Sequence, residues 1–298
     1  MLRPWLSSIL AIVLSITISA CATATTQPKA QTSNNPQQVA TPTAKRVVTL
    51  SSLTTDIIYE LDQTKLVGIT GSTLFKNDPR FQNLPRVSEG QTPPNIEKIV
   101  ALKPDLVIGA EGFSNQVTQR LEKLGIRTLL TQVNSWQSLE ELTKQIAQLI
   151  DVNPQPLLDR YQSFLPDKIN QSLSTLVLVS VQPILSPNKN SWAGDLLEKF
   201  QTKNLAAQLQ GKSPIAGYVT LSAEKVIEAN PEVILIVSPP GSSPTSVLDG
   251  LKKQSFWQKL QATKNNRVYV FNYYGLVNPG SIDAIERACQ QLQQDLLK

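Results

Sequence analysis

Asn95-Ile96-Glu97-Lys98-Ile99-Val100-Ala101-Leu102-Lys103-Pro104-Asp105-Leu106-Val107-Ile108 aligns without a gap on Ser222-Ala223-Glu224-Lys225-Val226-Ile227-Glu228-Ala229-Asn230-Pro231-Glu232-Val233-Ile234-Leu235. Each copy reads as a capping residue, Glu-Lys in a first helical turn, two aliphatics, a stop at x-Pro-acid and an apolar strand. Helix-to-strand corners use caps and prolines in this way throughout α/β proteins, so convergence stays open as an account of the match. A correspondence over a whole unit, once in each half of the chain, predicts two lobes built alike.

Outward from these units, short β-rich runs alternate with helical patterns. Strands are expected at 47–50, 66–69, 106–108, 128–130, 176–181, 233–237 and 267–271. Helices are expected from a cap at Ser52 or Thr54 through Leu61, and at 96–102, 116–124, 139–150, 157–172, 195–200, 223–229 and 282–297. Strands this apolar, alternating with helices, imply parallel sheets covered on both faces. The fold class is therefore α/β: two α/β lobes with parallel sheets, at 45–153 and 173–298, joined by one helix within 154–172 in which Pro166 is a kink or stop.

At the N-terminus Arg3 precedes an apolar run at 9–16, too short to span a membrane, and the segment closes on Ile18-Ser19-Ala20-Cys21. Residues 1–20 read as a secretory signal. The aliphatic-small-small-Cys order resembles the lipobox of bacterial lipoproteins, and on that resemblance Cys21 carries lipid and becomes the mature N-terminus; cleavage near Ala20 or an uncleaved anchor are the alternatives. Residues 22–45 hold no aromatic residue and many Thr, Gln, Asn and Pro, too little apolar bulk to offset the entropy of ordering. Residues 21–44 are thus a lipidated Cys and a flexible tether, placing the protein in the periplasm or at the cell surface.

Two absences exclude whole chemistries. The chain has no histidine, which removes His-based triads, His-ligated zinc and proximal-His haem. No Gly-x-Ser-x-Gly elbow occurs either, so an enzyme is not expected. With Cys21 lipidated, Cys289 is the one remaining thiol, read as a buried small hydrophobe on the last helix. The formal charge of +5 is too weak and dispersed to argue for nucleic acid. No metal site, catalytic residue or covalent cofactor is expected.

Arg46-Val47-Val48-Thr49-Leu50-Ser51-Ser52-Leu53-Thr54-Thr55-Asp56-Ile57-Ile58, Leu66-Val67-Gly68-Ile69 and the stretch 94–108 resemble the N-lobe of the cobalamin and ferric-siderophore binding proteins of ABC importers. Tyr218-Val219-Thr220-Leu221-Ser222-Ala223-Glu224, Asn230-Pro231-Glu232, Asn266-Arg267-Val268-Tyr269 and Asn278-Pro279-Gly280-Ser281 resemble its C-lobe. The resemblance covers 46–298 and implies two Rossmann-like lobes bridged by a single long helix, a ligand cleft between them, little hinge closure, a monomer, and delivery of cargo to an ABC permease and ATPase. One surface glutamate per lobe docks on the permease in that family. By position these are Glu97 and Glu224, although a first-turn carboxylate is also favoured by the helix dipole with no partner at all.

In the cleft the resemblance thins. Positions that carry aromatics in cobalamin binders fall on Gly90 and Ala110 here, Tyr218 keeps one, and hydroxamate-siderophore binders place an arginine where this chain has Gln91. From the loops that follow strands, candidate lining residues are Phe75, Lys76, Arg86, Gln91, Phe113, Trp192, Tyr218, Tyr273 and Tyr274. Trp257 reads as core. Lys76 and Arg86 favour an anionic chelate, a ferric siderophore, ahead of cobalamin or another large cofactor. A sensor or scaffold that keeps the fold without transport is the reading from another class.

Overall fold

The computed structural model describes residues 42–90, 92–167, 172–209, 213 and 215–296, all within one compact unit. Its first half contains β1 (Val47–Thr49), α1 (Ser52–Asp62), β2 (Leu66–Gly68), α2 (Ile96–Ala101), β3 (Leu106–Ala110), α3 (Asn115–Lys123), β4 (Thr128–Thr131) and α4 (Trp136–Ile150). After α5 (Gln155–Ser163) come β5 (Ser174–Leu178), β6 (Ser180–Val181), β7 (Ile184–Pro187), α6 (Trp192–Lys199), β8 (Lys203–Asn204), β9 (Tyr218–Leu221) and α7 (Ala223–Ala229). The chain finishes through β10 (Val233–Ser238), α8 (Pro244–Lys252), α9 (Gln261–Lys264), β11 (Val268–Asn272), a short kinked turn α10 (Tyr273–Leu276) and α11 (Ile282–Leu296).

The first sheet runs β2-β1-β3-β4 and the second β8-β5-β10-β11, both wholly parallel. The two orders are equivalent in chain sequence, so the lobes share a topology. An antiparallel sheet β6-β7-β9, which the sequence reading did not anticipate, is added to the C-lobe. Three boundaries differ from the expectations for local reasons. Ser51, one residue earlier than expected, caps α1 by accepting from Thr54 N. Ser191 caps the helix that starts at Trp192, a turn before Asp195. The helix expected over 157–172 is Gln155–Ser163 in the described residues, because Pro166 disfavours helical dihedrals at Leu165.

The repeated unit folds alike in both lobes, down to its hydrogen bonds. Asn95 caps α2 through Lys98 N (2.8 Å) and Ser222 caps α7 through Lys225 N (3.3 Å). Ile99 and Val226, at equivalent positions, are both fully buried. Lys103 and Asn230, each preceding proline, both take left-handed backbone (φ 48° and 38°), which Asn adopts at lower cost than Lys. The acid after the proline has a shared purpose: Asp105 accepts from Lys45 N (2.8 Å) and Arg46 N (3.0 Å) at the start of β1, and Glu232 accepts from Ser174 N (2.7 Å) at the start of β5. The neighbouring carbonyl completes each clasp, since Arg46 O takes Asp105 N–H and Ser174 O takes Glu232 N–H, both at 2.9 Å. Each corner therefore pins the chain where the adjacent parallel strand begins, just before β1 and at the first residue of β5, and so sets the register of the sheet.

Alternate strand residues divide between cores, as the two-residue period of a covered sheet requires. Val47, Leu106 and Ile108 of the N-lobe and Val177, Val233, Leu235 and Val237 of the C-lobe belong to one continuous cluster with Tyr161, Phe164, Phe271, Ile285 and Leu292. The opposite faces use separate clusters: Val48, Val107 and Ile99 in the N-lobe, and Leu176, Leu178, Ile234 and Trp257 in the C-lobe. Trp257 is core as expected, and so is Cys289, whose thiol is pushed up to about 12, chiefly by burial.

An ionic seam joins the lobes above this core. Asp56 of α1 is fully buried and accepts from Ile282 N at the start of α11 (2.8 Å). Arg80 pairs with Asp56 (3.2 Å), Glu60 (3.0 Å), Asp78 (2.8 Å) and Asp283 (2.7 Å), while its guanidinium lies over the rings of Phe81 and Tyr59. Arg160 of α5 bonds Asp283 and Glu286, both at 2.8 Å. Arg80 Nη1 approaches Asp56 Oδ1 off the hydrogen-bond direction, so that buried oxygen has an ion pair but no hydrogen bond.

Burial raises the Asp56 pKa to about 6, against the opposing pull of Arg80 and of the Ile282 N–H. A carboxyl whose pKa rises on folding holds its proton more tightly in the native state. The stability it contributes is therefore present below its unfolded pKa of 3.8 and is lost as pH climbs through 6. Between pH 4 and 7 the wild type should lose roughly 2 to 2.5 kcal/mol relative to Asp56→Asn in chemical denaturation, since Asn has no proton to release. Parallel stability profiles for the two proteins would overturn this account.

Candidate functional site

Loops at the carboxyl ends of parallel strands form the ligand face of open α/β sheets, and both lobes present such loops. In the N-lobe, the chain after β2 pairs with the segment before α2: Ile69 N donates to Pro85 O and Val87 N to Ile69 O, each at 2.9 Å. The pairing continues to Gly71, whose N–H donates to Ser88 Oγ (2.9 Å) and whose carbonyl accepts from Gly90 N (3.1 Å). A Cβ on Gly71 would lie 2.0 Å from Ser88 O, so only glycine fits this crossing. The result is a cavity of about 300 Å³ lined by Gly71, Ser72, Thr73, Lys76, Arg86, Ser88, Glu89 and Gly90. Arg86 is half-buried and anchored by Nη2 to Phe75 O (2.9 Å), whereas Lys76 is exposed; Glu89 is the one carboxylate in this lining.

The C-lobe contributes tyrosines. Tyr218 lies on β9 and is partly buried, its phenol pushed up to about 12 by burial, with Tyr273 adding to the shift. Tyr273 and Tyr274 follow β11 and meet edge to face at 5.3 Å. Burial raises the Tyr274 phenol as well, opposed by a hydrogen bond with the Thr73 side chain of the N-lobe. Gly280, at φ 66°, lies against the Tyr274 ring, where a Cβ would come within 2.6 Å of Cδ1, which accounts for the glycine in Asn278-Pro279-Gly280. A second cavity of about 230 Å³ adjoins Tyr273 and Tyr274, with Ser238, Asn272, Arg287 and Gln291 in its lining. The sequence reading passed over these last four. Arg287 and Gln291 sit four apart on one helix, a spacing that could have drawn attention to them.

Of the expected lining residues, Lys76 and Arg86 share one cavity, and Tyr218, Tyr273 and Tyr274 cluster on the opposite lobe. Phe113 stands at the tip of the β3–α3 loop, 90% exposed. Two expectations are corrected. Phe75 is 1% exposed: Ser72 caps the turn Thr73–Phe75, directing the ring onto Phe81 (4.2 Å between centroids). Trp192 is 3% exposed, because Ser191 draws it into the first turn of α6, where it stacks on Trp136 (6.0 Å) and donates Nε1–H to Gly275 O (2.8 Å). The apolar spacing Trp192-Ala193 with Leu196-Leu197, behind a serine, is the signal for that helix. Gln91 and Cys21 lie outside the described residues.

Glu97 and Glu224 occupy the first turns of α2 and α7 and are exposed. Both helices lead into strands of a parallel sheet, so both begin at the carboxyl edge, the edge that carries the loops above. The Glu224 carboxyl is held below its ordinary range by its own backbone N–H and the Ser222 hydroxyl.

Two like-built α/β lobes with cationic and tyrosine-lined loops at their sheet edges define a two-lobed ligand-binding protein. Residues 47–273 match the periplasmic binding protein family, and the chain belongs to that family. It is 27% identical over 275 residues to an uncharacterized ABC transporter substrate-binding lipoprotein of Bacillus subtilis, covering 85% of this chain and 82% of that one. It is 25% identical over 264 residues to a vitamin B12-binding protein of Vibrio cholerae, covering 84% and 90%. Among solved structures, a possible iron-binding periplasmic protein of Staphylococcus epidermidis superposes with a TM-score of 0.71 at 22% identity, covering 86% of this chain and all of that one. A periplasmic haem-binding protein of Vibrio cholerae does so at 0.63 and 21%, covering 85% and 99%. These relatives are binding proteins and not enzymes, in line with the sequence reading.

The burial assignments have a direct consequence for stability. Phe75→Ala and Trp192→Ala should each cost about 3–5 kcal/mol in urea unfolding, and Phe113→Ala less than about 0.5 kcal/mol. A loss at Phe113 equal to that at Phe75 would contradict them.

Proposed function

We propose that this protein is the substrate-binding lipoprotein of an ABC importer and that it captures an anionic metal chelate, a ferric siderophore, between its lobes. The observation that carries the choice of cargo is the N-lobe cavity in which Arg86 and Lys76 meet. A chelate with acidic metal-binding groups presents the charge these cations complement, and the tyrosines of the facing lobe suit its organic frame. Lipid attachment at Cys21 rests on Ile18-Ser19-Ala20-Cys21 and agrees with the name of the Bacillus subtilis relative. Among the described residues no helix is long and apolar enough to cross a membrane.

Cobalamin is the second reading, favoured by the vitamin B12-binding relatives. The two differ in what they ask of the site, since cobalamin has no need of the Lys76 and Arg86 charges. Thermal-shift titration against ferric catecholate, hydroxamate and citrate complexes, haem and cobalamin separates them. A ferric chelate at a hundredfold excess over its dissociation constant should stabilise the protein by about 2.7 kcal/mol, and Lys76→Gln with Arg86→Gln should weaken the response. A saturable response to cobalamin alone would replace the siderophore assignment, and silence across the panel would remove both.

Docking on the permease is assigned to Glu97 and Glu224. Two charges fixed on lobes that share a core set the register of an encounter and steer it. Reversing both, Glu97→Arg with Glu224→Arg, should abolish uptake by cells while leaving ligand affinity unchanged and the chain in the membrane fraction, from which Cys21→Ser releases it. Full uptake by the double variant would refute the assignment.

A further inference from the structure

The smaller cavity lies between the carboxyl ends of β10 and β11, the face of α11 and Leu74 of the N-lobe. Arg287 is the one charged side chain in its lining, which contains no carboxylate. Arginine on a helix usually finds an acid one turn away, and here Asp283 stands four residues before it. That carboxylate is taken by Arg80 and Arg160, and the adjacent Glu286 is taken by Arg160. The seam between the lobes thus consumes the acids that would otherwise neutralise Arg287. Its guanidinium has no hydrogen bond or ion pair to any described residue and is exposed at the cavity.

Polar and apolar parts of the lining are arranged for an organic anion. Asn272 is exposed at the end of β11 and offers an amide to the same cavity, while the Gln291 amide is occupied by Val270 O (3.0 Å). The Ser238 hydroxyl donates to Ser242 O (3.2 Å) and so folds the intervening loop over the cavity. Leu74 supplies an apolar wall on the other side, which would cover a carbon skeleton and which inorganic phosphate would leave unused. A guanidinium fork matches the two oxygens of a carboxylate.

We propose that this cavity is a second anion site, bound through Arg287 and Asn272, that accepts a small organic carboxylate without Lys76 or Arg86, although its lining includes Tyr273 and Tyr274 of the proposed cargo site. The carboxylate is either a free molecule or an acidic arm of the carried chelate, and the two sources are separable by experiment.

Isothermal titration calorimetry on the full chain in detergent, with succinate, metal-free citrate, ferric citrate and inorganic phosphate, provides the test. Succinate and citrate should bind saturably to the wild type, and Arg287→Gln should weaken them roughly tenfold or more, the scale of a lost charge-assisted hydrogen bond. Arg287→Lys should recover part of the affinity, and Lys76→Gln should leave it unchanged. An unaltered melting temperature for Arg287→Gln is expected of an exposed side chain with no partner. Dependence of succinate binding on Arg287 establishes a free-carboxylate site; dependence confined to ferric citrate establishes an arm of the chelate. Wild-type affinity in Arg287→Gln, phosphate binding as tight as succinate, or no saturable binding of any carboxylate overturns the proposal. Because Lys76 and Arg86 carry the siderophore assignment, that reading can fail while this one stands, and the reverse.

Discussion

One body of apolar side chains, fed by alternate residues of both parallel sheets, determines how the rest of the molecule is arranged. Val47, Leu106 and Ile108 face Val177, Val233, Leu235 and Val237 through Tyr161, Phe164 and the inner face of α11. Opening the lobes by a wide angle would expose this cluster to water at a cost proportional to its area. The lobes are therefore held near one separation, and recognition falls to the loops around the seam. Trp136 and Trp192 reinforce this arrangement at the α4–α6 contact, where Trp136 N–H also donates to Asp195 Oδ2 (2.6 Å).

The ionic seam shows how a buried carboxylate is tolerated beside such a core. Asp56 would be costly to ionise alone, but Arg80 and the first backbone N–H of α11 face it. Arg80 in turn is shared among four carboxylates and two aromatic faces, an arrangement that fixes its position from several sides. The same sharing leaves an imbalance further along α11, where Arg287 has lost its natural acid to Arg80 and Arg160.

Much of the fold was legible because its signals are local. Caps at Asn95 and Ser222, prolines at 104 and 231 and apolar runs between them marked both repeat units, and the structure places them in equivalent positions. The partners of Asp105 and Glu232 were not legible, since each acid bonds a strand about sixty residues earlier in the chain. The antiparallel sheet was missed because β6 merged with β5 into one expected strand, while β7 and β9 are four residues each, too short for their period to register, and β7 ends in proline. In the site, Lys76, Arg86 and the tyrosines were found by position after strands. Phe75 and Trp192 obeyed the same positional rule yet fold inward, because a serine before each starts a helical turn that a reading of loops by composition does not detect.

The inner face of α11 follows every strand of both lobes in the chain, yet it supplies Ile282, Ile285, Cys289, Leu292 and Leu296 to the core that the first lobe also needs. Until residues 282–296 are in place, α1 lacks the backbone donor for Asp56 and part of its apolar cover. An emerging N-lobe therefore has an apolar face unsealed until α11 follows it, and sealing that face joins segments 226 residues apart.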